Sequence, residues 1–272
     1  AELPGLIAAG ADTFYCGFAA GADPLDLATA NRRHSPEANF TTAAELGQAI
    51  AVAHAAGRRV FLALNEHTCP PDQLPRFEAR LALAAELGVD AVIVSNLVLL
   101  DRAARRFPPS QLFASVGFVA QNAAAVRFLA ARGVGRVILP RHLLPAEICA
   151  LAAAVPDVAF EVFGKNSRCG NYDGLCGFAH QCLDGVSYHI GCLRVADPAV
   201  MALRTDACGA CDLWAFRDQP NIASVKVVGR DLPRERIRRD VVFMRAVLDR
   251  LHAASSGPAA AAAFRRGARA DH

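Results

Sequence analysis

The chain has 272 residues, 53% of them apolar and 20% charged, and a net charge of +3. This composition excludes a largely disordered protein, and so small a positive excess, part of it in the arginine-bearing tail FRRGARADH, gives charge alone little weight as a sign of nucleic-acid binding. The length suits one large domain such as an α/β barrel, or two small ones. An uninterrupted apolar run of about eighteen residues, as a membrane-spanning helix needs, is not found. The opening AELPGLIAAG has neither an initiating Met nor a basic region, so the expectation is that residues of the natural N-terminus precede it. Without a secretory signal, a cytoplasmic location is expected.

Residues 4–10 read as the end of a helix closing at Gly10, and ADTFYCGF as a short buried strand. A polar loop is expected next. At Thr42 the pattern TAAE matches a capping box with Glu45 and predicts a helix to about Ala56. RRVFLALN has bulky apolar residues without alternation, the pattern of a strand buried on both faces, and it ends in Asn65. After HTCPPD, the residues Leu74, Phe77, Leu81 and Ala84 recur at helical spacing up to Gly88. The unit then repeats: DAVIVSN, QLFASV and RVILPRH as strands, with LVLLDRAARRF, NAAAVRFLAARG and PAEICALAAAV as helices. AFEVFG is a further strand, followed by a cysteine-rich insertion. ASVKVVGR and the amphipathic helix RERIRRDVVFMRAVLDRLHAA resume the pattern.

Strand–helix alternation calls for parallel strands with right-handed crossovers. The expected fold is therefore α/β, a parallel (β/α) barrel of TIM-like kind. About seven strands are counted, so a first strand is expected before residue 1 or elsewhere. An open doubly wound sheet is the alternative. Residues 1–254 are expected to form one barrel-like domain, with the insertion at about 166–215 carrying a metal site, and 255–272 a disordered tail. In either fold ligands gather at the carboxyl ends of the strands, which carry Gly17, Asn65, His67, Ser95, Asn96, Arg141, His142, Lys165, Asn166, Gly229 and Arg230.

Six of the nine cysteines lie between Cys169 and Cys211, in SRCGNYDGLCGFAHQC, HIGC and DACGAC. Cys16, Cys69 and Cys149 stand singly in or beside apolar segments, as small buried hydrophobes do. A disulfide framework is disfavoured by domain size and compartment. Zinc sites often use paired CxxC units, and only Cys208 and Cys211 have that spacing. An iron-sulfur cube is wider and accepts the irregular spacing of Cys169 and Cys176. A nucleophilic Cys beside His180 or His189 would leave most of the cluster unexplained.

The run CGNYDGLC resembles the peptidase U32 (collagenase-like) family, whose pattern is commonly C-x-S-Y-S-G-x-C. GADTFYCGF, NFTTAAEL, RRVFLALN, ELGVDAVIVSN and SVKVVGR resemble family blocks in the same order, over most of residues 5–250. The resemblance implies an α/β barrel whose first strand comes from the natural N-terminus. Members include proteins that hydroxylate ubiquinone precursors without oxygen, on a 4Fe-4S cluster held by four cysteines, and others that hydroxylate an RNA base. Carried over residue by residue, it implies Cys169, Cys176 and Cys192 as ligands and Cys211, ahead of Cys208, as the fourth; Cys182 has no counterpart.

The sequence departs from the family at Lys165 and Asn166, where the family has His-Gly, and at Ser115, Val116 and Gly117, where it has Ser-Thr-Gln. Val228 replaces the Glu of a KIEGR block, and Ala196 stands where many members have a further Cys. The resemblance suggests prephenate as an oxygen source, with Lys226, Arg230 and Arg141 as candidate anion anchors. Tyr172 and Asp173 are candidates to tune the cluster by hydrogen bonds. The expected function is oxygen-independent hydroxylation of a quinone precursor or similar small aromatic substrate. RNA-base hydroxylation ranks second, since no RNA-binding appendage or basic stripe is evident. A peptidase is a third reading, without an HExxH or Gly-x-Ser-x-Gly motif in support. A fourth is a non-catalytic subunit in a heterodimer with a related U32 protein.

Overall fold

The computed structural model describes residues 2–19, 39–66, 69–165, 173–174, 181–183, 186–188, 208–229 and 232–272; for 181–183 and 186–188 it describes the backbone alone. Eight strands form one parallel sheet: β1 (Thr13–Phe18), β2 (Asn39–Phe40), β3 (Arg59–Leu64), β4 (Ala91–Val94), β5 (Leu112–Ala114), β6 (Arg136–Ile138), β7 (Ala159–Lys165) and β10 (Ile222–Val227). The spatial order is β10-β7-β6-β5-β4-β3-β1-β2. A separate antiparallel hairpin, β8 (Gln181–Leu183) with β9 (Val186–Tyr188), falls inside the insertion.

The helices follow the strands as the periodicity requires. They are α1 (Leu3–Ala8), α2 (Ala43–Ala55), α3 (Leu74–Glu86), α4 (Leu97–Ala103), α5 (Ala123–Ala130), α6 (Pro145–Ala154), the short α7 (Leu213–Phe216), α8 (Arg234–Ala253) and α9 (Pro258–Ala270). Their starts show why. Thr42 accepts from the Glu45 amide at 3.2 Å, Asn96 from the Val98 amide at 2.9 Å and Asn122 from the Ala125 amide at 2.9 Å, each filling a donor that the first turn leaves unpaired. The hydroxyls of Thr42 and Thr41 also hold the Glu45 carboxyl below its ordinary value.

The two faces of the sheet differ in what covers them. Phe61, Ala63, Ala91, Ile93, Phe113 and Ile138 form one cluster with Tyr15, Val116 and Phe163, in which no α-helix takes part among the described residues. Helix residues such as Leu46, Phe77, Leu99, Val126, Ile148 and Val247 pack with the opposite strand face. One face lined by strands alone is the interior of a barrel, since a doubly wound sheet carries helices on both faces. The sheet is curled accordingly. Laid flat, β10 and β1 would stand six strand spacings apart, roughly 29 Å; here the Lys226 Nζ of β10 lies 3.9 Å from the ring centroid of Tyr15 on β1.

The curl does not close. Among the described residues β10 pairs only with β7, and β1 pairs with β3 and, at its last two residues, β2. Between β1 and β10 a cleft of about 1080 Å³ runs under α1 and α8. The consequence is visible in burial: β4 is wholly buried, whereas the comparably apolar β1 and β10 are mostly half-exposed. The two-residue β2 forms where a polar loop is expected.

The tail corrects a second expectation. Residues 258–270 form α9 instead of a disordered segment, with Pro258 at its first turn and Ala261, Phe264 and Ala268 buried. The Phe264 ring rests 5.5 Å from that of Trp214, and Arg250 crosses the helix at Gly267 to donate to Asp271 at 2.6 Å. A low-complexity composition hid a stripe of three small or aromatic residues that is wide enough to dock.

Two substitutions test this architecture. A Cβ at Gly135 would run into the carbonyl oxygen of Pro109, so Gly135→Ala is expected to destabilise the chain by about 2 kcal/mol or more, read as a fall in thermal midpoint. Phe264→Ala should cost about 3 kcal/mol and, because Trp214 is the one tryptophan, red-shift the intrinsic fluorescence. An unshifted spectrum would mean that α9 does not cover Trp214.

Candidate functional site

The carboxyl ends of the strands carry a continuous polar rim. At the end of β3 the buried Glu66 accepts from Arg80 of α3 at 2.5 Å, and its carbonyl accepts from the Ser95 hydroxyl at 3.0 Å. Asn65 keeps a buried Oδ1 with no hydrogen-bond partner. Asn96 is occupied as a helix cap, and His142 meets Gln121 at 3.1 Å.

After β5 the chain makes a tight 3₁₀ turn at Val116–Phe118, started by Ser115, whose buried hydroxyl accepts from the Gly117 amide at 3.4 Å. The turn ends at Val119 with φ +50°, the one non-glycine residue in the left-handed region among those described. For a β-branched side chain this conformation costs about 1–3 kcal/mol and needs the surroundings to hold it. Part of those surroundings is the insertion itself. Gly174 sits against the Gly117 carbonyl and the Val119 side chain so closely that a Cβ would not fit. Its neighbour Asp173 accepts from the Arg141 Nε at 3.0 Å, and the guanidinium lies 4.5 Å from the Phe163 ring centroid. The middle of the CGNYDGLC run is thus seated over the ends of β5, β6 and β7.

The second half of the insertion returns to the same end. Cys208 forms an antiparallel bridge with Lys165, and the Gly209 amide donates to the Gly164 carbonyl at 2.8 Å. Gly209 is needed for the approach, since a Cβ there would stand 2.8 Å from the Phe163 oxygen; at Gly164 a Cβ would instead meet Val225 of β10 and Met244 of α8. Cys211 follows in a 3₁₀ turn anchored by the buried Ala210 and Leu213. Both cysteines are free thiols, partly buried. The Ala210 amide points at the Cys208 sulfur, 3.5 Å away.

Of the expected ligands, Cys211 is therefore placed, with Cys208 beside it in sequence, at the strand ends. Cys169, Cys176 and Cys192 lie outside the described residues, as do His67, Asn166, Tyr172, His180, His189 and Arg230, and Cys182 is described only in its backbone. The remaining thiols behave as filling. Cys149 donates to the Ala215 carbonyl at 3.2 Å and Cys16 faces the Phe61 carbonyl at 3.8 Å. Burial raises the thiols of Cys69 and Cys149, in Cys69 with Glu66 and Asp72 adding to it, so both hold their protons.

The anion anchors fare differently from expectation. Lys226 points into the barrel and donates to Glu161 at 2.7 Å, so it is spent inside. Arg141 is engaged by Asp173. The residues that sequence reasoning missed are Glu161, the interior partner of Lys226, and Arg136, whose guanidinium lies 4.5 Å from the Phe113 centroid. Burial pushes Arg136 down from its ordinary value, with Glu161 opposing. A carboxylate inside the apolar run AFEVFG was the available signal.

The model of peptidase family U32 matches residues 1–192. tRNA hydroxylation protein P of Escherichia coli K12 is 34% identical over 126 residues, which is 46% of this chain and 27% of that protein. The protein of the same name from Haemophilus influenzae is 31% identical over 160 residues, 58% of this chain and 34% of its own length. tRNA hydroxylation protein P1 of Bacillus subtilis 168 is 24% identical over 190 residues, or 69% and 44%. The chain thus spans between about a quarter and less than half of these relatives. Among solved structures the U32 peptidase Mk0906 gives a TM-score of 0.42 at 17% identity, over 56% of this chain and 68% of that one. These three relatives are named for tRNA hydroxylation and none of them for a quinone. By the match over residues 1–192, the chain belongs to peptidase family U32.

Proposed function

We propose that this chain is the barrel part of an oxygen-independent RNA-base hydroxylase, with a 4Fe-4S cluster on Cys169, Cys176, Cys192 and one cysteine of the CGAC turn. The observation that carries the reading is convergence. Asp173 and Gly174, between the first two proposed ligands, and Cys208, at the start of the CGAC turn, are held at the same ends of β5–β7. The donor chemistry fits the group: Cys208 and Cys211 are free and half-buried, and the Ala210 amide donates to the Cys208 sulfur. For the fourth ligand the family pattern favours Cys211, while the amide directed at its sulfur favours Cys208. The names of the relatives support RNA over a quinone precursor.

Such a cluster, held by those four cysteines, would supply single-electron transfer at the strand ends. Replacing a C–H by C–OH oxidises the base by two electrons, so the oxygen donor must accept two; prephenate is the donor that the family resemblance suggests. This chain's own residues provide the framing. Arg141 fixes the loop through Asp173 and stacks on Phe163, and the Lys165–Cys208 bridge fixes the turn.

Protein purified without oxygen is expected to contain about four iron and four sulfide per chain. Iron-free protein with full zinc occupancy would sink the cluster. Cys169→Ala, Cys176→Ala and Cys192→Ala should each lose iron; comparing Cys208→Ala with Cys211→Ala identifies the fourth ligand by which variant loses it. In a deletion strain, nucleoside mass spectrometry of transfer and ribosomal RNA should show one hydroxylated base missing. A changed quinone profile with intact RNA would restore the quinone reading.

Gly174→Val separates the seat from the ligands. It should lower iron content and speed proteolysis within the insertion while shifting the thermal midpoint by only a few degrees. Unchanged iron would show that the Gly117 contact does not position the loop.

A further inference from the structure

On the reading that the substrate is RNA, α9 supplies a surface for it. Its buried stripe of Ala261, Phe264 and Ala268 leaves Arg265, Arg266 and Arg269 exposed on one flank, within about 6 Å of helix axis. None of the three has a hydrogen bond or ion pair among the described residues, in contrast to Arg234, Arg238, Arg245 and Arg250 of α8, which all meet carboxylates. The sequence of α9 contains no acidic residue, and Asp271 just beyond it is taken by Arg250.

The helix is placed beside the candidate site. Phe264 packs on Trp214, three residues after Cys211, and the ring of His272 meets the Lys165 amine at 2.7 Å, on the residue that bridges Cys208. These two contacts hold α9 and the chain end that follows it against the segment that carries Cys208 and Cys211. An acidic membrane is the poorer fit, because the apolar stripe that would enter lipid is already buried in the protein.

We propose that Arg265, Arg266 and Arg269 of α9 form a docking strip for the phosphodiester backbone of the RNA whose base is presented at the strand ends. Flexible guanidinium groups on a fixed helix suit consecutive phosphates and carry no sequence information. Binding at the strip is therefore sequence-tolerant and salt-sensitive.

The test measures binding of the full chain to a tRNA transcript and to a short oligouridylate across a salt series. The triple variant R265Q/R266Q/R269Q is expected to bind both on the order of tenfold more weakly, and to reduce the slope of log affinity against log salt by about 2. The triple Arg→Lys variant should restore the slope, since charge and not the helix is being read. Thermal midpoint and iron content should not move. Wild-type binding that the triple Gln variant leaves unchanged overturns the strip while sparing the RNA reading. Absence of RNA binding by the wild type overturns both. Equal, arginine-dependent binding to polyglutamate or to phosphatidylserine vesicles overturns RNA as the partner.

Discussion

The ion pair of Lys226 with Glu161 inside the barrel is the contact on which the curl of the sheet turns. The two residues sit on adjacent strands, β10 and β7, but the ammonium also faces Tyr15 on β1, across the unpaired cleft. A half-closed sheet has no ladder at its seam, so side chains must do the joining. Burying this pair is costly, and the surplus cation Arg136 adds to the cost; the Tyr15, Phe113 and Phe61 rings offset part of it by facing the cations. Removing Glu161 would leave two buried cations uncompensated, a loss of about 3–5 kcal/mol by the usual scale for broken buried pairs. The seam is thereby fixed at one separation, and α1 and α8 are held over it.

With the curl fixed, the carboxyl ends of the strands face a common centre, and what is delivered there depends on close backbone approach. Gly174 against Gly117, and Gly209 against Phe163 and Gly164, are positions where a methyl group is already too much. Glycine has a conformational cost in an ordered loop. Here it permits the described parts of the insertion to lie directly on the strand ends.

Much of this was legible in the sequence, for a physical reason. The doubly buried strands RRVFLALN and DAVIVSN and the Thr42 cap depend on neighbours a few residues away, and local pattern reports them. The parts that escaped depend on distant partners. β2 has two residues and exists only through Gly17 and Phe18; Lys226 reads as a strand-end cation until Glu161 and Tyr15 are brought to it; α9 is an alanine run until Trp214 and Arg250 dock against it. The seat of Asp173 on Arg141 likewise needed the fold, since the two residues are 32 positions apart.

The cysteines show most sharply how surroundings and residue type separate. Cys69, Cys149 and Cys211 are all half-buried thiols. The first two lie where desolvation raises the thiol, and Cys149 already donates its proton to a carbonyl, which a thiolate could not do. Cys208, next to Cys211, has the opposite partner: a backbone amide that donates to sulfur, from the turn that Gly209 makes possible. The direction of these hydrogen bonds separates Cys149, which gives its proton to a carbonyl, from Cys208, whose sulfur receives one from an amide.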